Sequence, residues 1–223
     1  MEVCRTQALF DLSHTLAAPL LEQVEWPWQA LETLGDFLSK LGPQLPQEEY
    51  KEIAPQVWVA DSAVVAPSAS VQGPCIIGPG AEIRHCAYIR GNALVGAGAV
   101  VGNSVELKNC ILFDQAQVPH FNYVGDSILG YKAHLGAGAV TSNLKSDRSL
   151  VVIRQGEERL PTGRKKLGAL VGDEAEVGCN SVLCPGSVLG RSSQVYPTSC
   201  VRGVVPAHHI YKDAQRVVPR CTE

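Results

Sequence analysis

The sequence predicts an all-β solenoid, a parallel β-helix of hexapeptide repeats, and three observations carry that expectation. A large apolar residue recurs at every sixth position from Val59 to Phe113: Val59, Val65, Val71, Ile77, Ile83, Ile89, Val95, Val101, Leu107 and Phe113. The position four residues after each anchor is mostly small: Ala63, Ala69, Cys75, Ala81, Ala87, Ala93 and Ala99. Glycines such as Gly78, Gly80, Gly96, Gly98, Gly136, Gly138, Gly172, Gly178 and Gly190 fall where tight corners call for open or left-handed backbone. A period of six is neither the 3.6 of a helix nor the 2 of an ordinary strand. One bulky and one small inward position per hexad is what three short flat faces joined by corners can bury along a triangular prism. About three hexads make one coil. A β-sandwich could imitate two or three hexads by chance, but not anchors held in phase through three blocks.

The anchors resume at Leu129, Leu135 and Thr141, and again at Val171, Val177, Leu183, Leu189, Val195 and Val201. These blocks divide the chain into a helical N-terminal cap over 1–52, a β-helix over 53–205 and a C-terminal tail over 206–223. Within the first segment Trp28, Leu31, Leu34, Phe37, Leu38 and Leu41 recur at helical spacing after Pro27, a good first-turn residue, and predict one amphipathic helix ending near Gly42 and Pro43. The first coil of a solenoid exposes a raw apolar end, so this helix is expected to cover it. The tail after Val201 loses the period and carries Pro206, His208, His209, Lys212 and Arg216. It is expected to close the far end or pack on a neighbouring subunit.

A formal charge of −3 and a pI near 6.1 offer no electrostatic case for nucleic acid. The eight cysteines lack C-x-x-C spacing, and Cys75, Cys110 and Cys200 stand where the repeat wants a small buried side chain. Packed free thiols suit a reducing cytoplasm better than a metal site does. The N-terminus has one Arg, an interrupting Asp11 and His14, and no long apolar run, so neither a signal peptide nor a membrane span is expected.

Function in a solenoid concentrates where the repeat breaks, because an ejected loop can set side chains beside a neighbour's wall. Two such loops are expected, at 114–124 and 143–170. The first contains His120 and, three residues later, Tyr123. A histidine with a pKa near 6.5 is the natural general base for an amine or hydroxyl nucleophile, although a lone loop histidine also reads as a surface residue. The second carries Arg154, Arg159, Arg164, Lys165 and Lys166, which read either as a solvated loop or as a clamp for phosphate oxygens.

The string VELKNCILFDQAQVPHFNYVGDSILGYKAHLGAGAVTSN, residues 105 to 143, resembles the acetyltransferase half of the bacterial bifunctional glucosamine-1-phosphate acetyltransferase/N-acetylglucosamine-1-phosphate uridyltransferases. The shared strings are V-E-L-K, H-x-x-Y-V-G-D, L-G-A-G and the T-x-N that ends at Asn143. TGRKKLGALVGD, residues 162 to 173, with Val195-Tyr196-Pro197, is similar to the archaeal-type sugar-1-phosphate nucleotidyltransferases that carry the same acetyltransferase domain. The resemblance implies a left-handed β-helix, a homotrimer with sites between subunits, and an acetyl-CoA-dependent N-acetyltransferase acting on an amino-sugar phosphate such as glucosamine 1-phosphate, with no metal required. It implies His120 as the base. Substrate contacts fall on Arg90, Lys108, Tyr123, His134, Asn143 and Lys165, and coenzyme contacts on Ala137, Cys179 and Tyr196.

Departures accompany the matches. His134 stands where the family has asparagine, Leu144 replaces a common tyrosine and Cys179 a serine, which puts the acceptor in question. No glycine-rich G-x-G-x-R stretch precedes the repeats, so nucleotidyltransferase activity is not expected. Two other readings remain open. One is a non-catalytic β-helix that binds a partner or effector. The other is a γ-carbonic-anhydrase-like metalloenzyme, suggested by His85 and His120 but lacking a histidine at Gly125.

Overall fold

A computed structural model describes residues 1–220. The chain winds into a left-handed parallel β-helix of triangular section, and every ladder between successive coils is parallel. On the first face Val57–Ala60, Cys75–Ile77 and Ala93–Val95 stack in order. The second face runs through Val64–Val65, Glu82–Ile83, Val100–Asn103, Gln117–His120 and His134–Leu135. The third includes Ser70–Gln72, Tyr88–Arg90, the start of Glu106–Leu112, the start of Tyr123–Leu129, and Val140–Thr141. The alternation written in the hexads fills the prism: Ile77, Ile83, Ile89, Val95 and Val101 point inward with Ala81, Ala87, Ala93 and Ala99. Cys75 and Cys110 are packed in the same core, and burial pushes the Cys75 thiol up to about 12 and the Cys110 thiol well above the ordinary range.

The first expected loop, 114–124, is not ejected. Its residues form the Gln117–His120 strand and the start of Tyr123–Leu129, both in the wall. The coil is 18 residues from Cys75 to Ala93 but 17 from Ala93 to Cys110 and 17 again to Ser127. One residue is missing from each of two hexads, so the inward series reads Leu107, Leu112, Val118, Val124, Leu129. Phe113, an inward anchor by its spacing, therefore faces outward, where its ring lies 5.1 Å from Phe10. From Ile128 to its partner Leu170 the coil takes 42 residues, and the surplus leaves the wall as an excursion built on a Val152–Gln155 and Glu158–Pro161 hairpin.

Most of the corner glycines serve closeness rather than left-handed backbone. A Cβ on Gly96 would stand 2.5 Å from the backbone of Phe113 and Asp114 in the next coil, and Gly96 has no positive φ. The left-handed corner positions belong mostly to other residues, among them Asn92, Asn109 and Asp126, with φ of 48° to 50°. Asn and Asp tolerate this conformation best after glycine.

The N-terminal helix runs Pro27–Leu41, and it does not cover the end of the prism. It lies along the first face. Trp28, Leu31, Leu34 and Leu38 pack in one cluster with Ile76, Leu94, Ile111, Ile128, Leu170 and Val188, which project outward from six successive rungs. An apolar outer stripe of this kind must be covered, and the amphipathic helix supplies the cover. The ends are finished by antiparallel strands instead: Tyr50–Ala54, partly inside the segment expected to be helical, pairs with Val57–Ala60. At the other end the expected tail continues the solenoid, since His209–Asp213 pairs in parallel with Gln194–Val195 before Arg216–Pro219 turns back on it. Residues 221–223 of that tail lie outside the described residues. Among the described residues no helix is long and apolar enough to cross a membrane.

Two substitutions check this packing. Ala93 is fully buried inside the prism, and Ala93→Leu is expected to cost roughly 1 to 3 kcal/mol by overpacking. Trp28→Ala should cost about 3 to 5 kcal/mol by opening a cavity between helix and wall. Urea unfolding of each variant measures both, and wild-type stability of Ala93→Leu would mean that this position faces outward.

Candidate functional site

Because the coils stay in register, side chains one coil apart converge at the corners, and two edges of the prism collect the residues expected to carry chemistry. The first is the corner between the third and first faces, and its hub is Asp126. The Asp126 side chain is buried, and its carboxylate accepts from Lys108 Nζ at 3.0 and 3.2 Å, from Asn109 Nδ2 at 2.8 Å and from Asn143 Nδ2 at 2.6 Å. A buried carboxylate is tolerated here because four charge-assisted contacts replace its water. The Tyr123 ring lies over Gly125, where a Cβ would stand 2.4 Å from the phenolic oxygen, and that oxygen accepts from Asn143 Nδ2 at 3.2 Å. Burial, followed by the charge of Asp126, raises the Tyr123 pKa, so its hydroxyl stays a donor at neutral pH.

This corner opens into a cleft of about 500 Å³, lined among others by Lys108, Asp126, Arg164, Lys165 and Lys166, with Glu32 of the N-terminal helix on its far side. The basic trio comes from the returning limb of the excursion. Lys108 is neutralised locally by Asp126, whereas no carboxylate lies within 4 Å of Arg164, Lys165 or Lys166 among the described residues. The cleft therefore presents uncompensated positive charge to an anionic group. Arg90 lies on the third face, paired with Glu106 at 2.7 Å.

The second edge joins the second and third faces. Backbone amides rung by rung place His85, Asn103, His120, Ala137, Cys179 and Pro197 in one column: the amide after each donates to the carbonyl of the residue above, as Gly138 does to His120 at 3.0 Å. His120 is exposed at the end of its strand, and its imidazole has no side-chain partner among the described residues. Its backbone is pinned by Asn122, whose Oδ1 accepts from the His120 amide at 3.0 Å while Nδ2 donates to the carbonyls of Gly136 and Ala139. Next to His120 the Phe121 ring is exposed, and farther along the edge Tyr196 is exposed too.

The expected residues thus separate into two groups within one chain. Arg90, Lys108, Tyr123, Asn143 and Lys165 gather at or beside the Asp126 corner; His120, Ala137, Cys179 and Tyr196 follow the other edge. His134 joins neither, because it lies on the second face with Nδ1 2.7 Å from Glu176 Oε2. His85, the histidine that suggested a metal site, bonds Ser68 Oγ at 2.7 Å through Nδ1. Among the described residues no three His, Cys, Asp or Glu side chains converge as a metal site would need. Asp126 is the site residue that the sequence did not single out. Its place at the end of the H-x-x-Y-V-G-D string was the signal that could have marked it.

A family model described as the GMPPB C-terminal domain matches residues 71–154. The bifunctional protein GlmU of Methanococcus maripaludis is 30% identical over 87% of this chain and 48% of its own length. The bifunctional sugar-1-phosphate nucleotidylyltransferase/acetyltransferase of Sulfurisphaera tokodaii is 31% identical over 56% of this chain and 31% of its own. The chain resembles the acetyltransferase half of these bifunctional proteins. It spans about half the length, or less, of the curated relatives it matches. Among solved structures, a perosamine N-acetyltransferase mutant from Caulobacter crescentus is similar at 18% identity and a TM-score of 0.35, covering 74% of this chain and 57% of that one.

The Tyr123 assignment has a spectroscopic check. Alkaline difference titration of wild type against Tyr123→Phe should show a phenol that ionises above the ordinary value near 10, and Asp126→Asn should bring it down. A folded-state pKa above the unfolded one adds stability that is present below pH 10 and is lost as pH rises through the raised value.

Proposed function

We propose that this protein is an acetyl-CoA-dependent N-acyltransferase acting on the amine of a sugar phosphate, glucosamine 1-phosphate being the reference acceptor, in a homotrimer whose sites lie between subunits. The observation that carries the reading is the Asp126 corner. It holds Lys108, Tyr123 and Asn143 in one bonded group beside a cationic cleft, and the sequence similarity covers the same residues. An anionic phosphate fits against Arg164, Lys165 and Lys166, and the fixed hydroxyl and amide of Tyr123 and Asn143 fit sugar hydroxyls.

The separation of the two edges supports a shared site. One chain sets His120 and Asp126 six residues apart at opposite ends of the third face, up to about 20 Å at strand rise. The unpartnered His120 imidazole and the exposed Phe121 then suit the corner of a neighbouring copy. The first face is already occupied by the helix, which leaves the other two for that packing.

In this arrangement the neutral sugar amine attacks the thioester carbonyl. His120 accepts the amine proton as the C–N bond forms, and the tetrahedral oxyanion is stabilised by backbone N–H groups of the wall. Collapse breaks the C–S bond, and the imidazolium returns its proton to the departing thiolate. The small Ala137 and Cys179 leave the His120 edge flat, which suits an extended acyl-carrying arm along the column.

His120→Ala should lower kcat by about 100-fold or more with little change in KM, since a base acts only in the transition state. Thiol release from acetyl-CoA against amino-sugar 1-phosphates measures it. Sedimentation should report about three chains. Mixing His120→Ala with Lys108→Gln protein after joint refolding should restore about a quarter of wild-type activity if each site draws on two copies. Coenzyme binding without transfer to any sugar, unchanged by His120→Ala, would favour the non-catalytic binding protein instead.

A further inference from the structure

The 143–168 excursion has two sides, and only one of them borders the Asp126 corner. Its other side closes a second cleft, of about 590 Å³, against the coils below. Lys145 and Arg154 enter from the excursion, Cys184 and Arg202 from the wall, and Asp147 is the single carboxylate lining it. Lys145 Nζ is engaged by Ser149 Oγ and lies 3.5 Å from Asp147. Arg154 and Arg202 have no carboxylate within 4 Å among the described residues. Three cations facing one acid is a local excess of positive charge in a chain whose formal charge is −3.

The cleft is built, since its wall is anchored at both backbone and core. Gly203, at φ +77°, lets the excursion come down: a Cβ there would stand 2.4 Å from the Arg154 carbonyl oxygen. Gly186, at φ +79°, does the same under Val151, where a Cβ would be 2.7 Å from Cγ1. Val151 and Ile153 are fully buried in the outer apolar cluster with Val188. The hairpin backbone is thereby clamped, and the two guanidinium groups project from backbones that touch at Gly203.

We infer that this second cleft binds the diphosphate of a nucleotide ligand, separately from the sugar-phosphate cleft. Two guanidinium groups without acidic partners supply planar, always charged forks that match phosphate oxygens bidentately, and Lys145 adds a point charge. The volume exceeds what a single phosphate fills and falls within the range of nucleotide-sized sites. The same chemistry is offered by the diphosphate of coenzyme A and by a free nucleoside diphosphate. The first source rests on the acyl-transfer reading, and the second does not.

Calorimetric titration of the full chain with inorganic pyrophosphate, ADP and coenzyme A separates the cases. Arg154→Gln and Arg202→Gln, exposed changes that should leave thermal stability intact, are each expected to weaken ADP binding by about 10-fold, the loss typical of a charge-assisted hydrogen bond. Lys165→Gln, in the other cleft, should not. If coenzyme A is the occupant, its affinity falls in the same two variants and pyrophosphate competes with it. If a free nucleotide is the occupant, ADP binding falls while coenzyme A binding is unchanged. Affinities for ADP and coenzyme A that are unaltered in both arginine variants, or no binding of either by wild type, overturn the inference. Failure of the acyl-transfer reading, seen as no transfer to any sugar and no effect of His120→Ala, leaves the ADP and pyrophosphate results standing, so the two readings fail independently.

Discussion

The core and the corner clusters of this molecule depend on the register of one coil above the next. Parallel strands stack about 4.8 Å apart, so a residue and its counterpart one coil away are immediate neighbours, and a corner side chain meets the corner side chains above and below it. That constraint places Lys108, Asn109 and Asn143 around Asp126, at separations of 17 or 18 residues. It also makes glycine unavoidable where coils approach most closely, as at Gly96 beneath Phe113 and Asp114. A side chain there would part the ladder.

The same register creates an obligation on the outside. On the first face the outward residue of each rung is apolar, and six of them form a stripe that water cannot be left to cover. The Pro27–Leu41 helix satisfies this along the side of the prism rather than at its end. Its position also bears on the cleft, because Glu32 of the same helix lines the cleft beside Asp126. The helix that covers the wall therefore also shapes that cleft.

The excursion after Asn143 is the one large departure from the repeat, and the clamped glycines beneath it keep it in place. Arg164, Lys165 and Lys166 are presented to one cleft and Lys145 and Arg154 to another. A regular wall of short strands has few cations of its own to offer. A single hairpin held at both sides supplies them in two directions.

The solenoid was legible in the sequence because its cause is local and repetitive: one bulky and one small apolar residue per hexad already define an interior, whatever the rest of the chain does. The amphipathic helix was legible for the same reason. The string around His120 and Tyr123 marked the region of the candidate site without showing its arrangement. Phase was not legible where Leu112 and Phe113 are both apolar, since either could point inward, and only the ladder from Ala93 to Cys110 decides that the coil is 17 residues long. An error of one residue there reads the wall at 114–124 as a loop and hides the ring of donors around Asp126, since those contacts depend on coil length. Where the helix would dock was equally undetermined, because an apolar helix face suits the end of a prism as well as its side. The outward stripe, assembled from residues 17 to 42 positions apart, exists only once the coils are stacked, and it decides the matter.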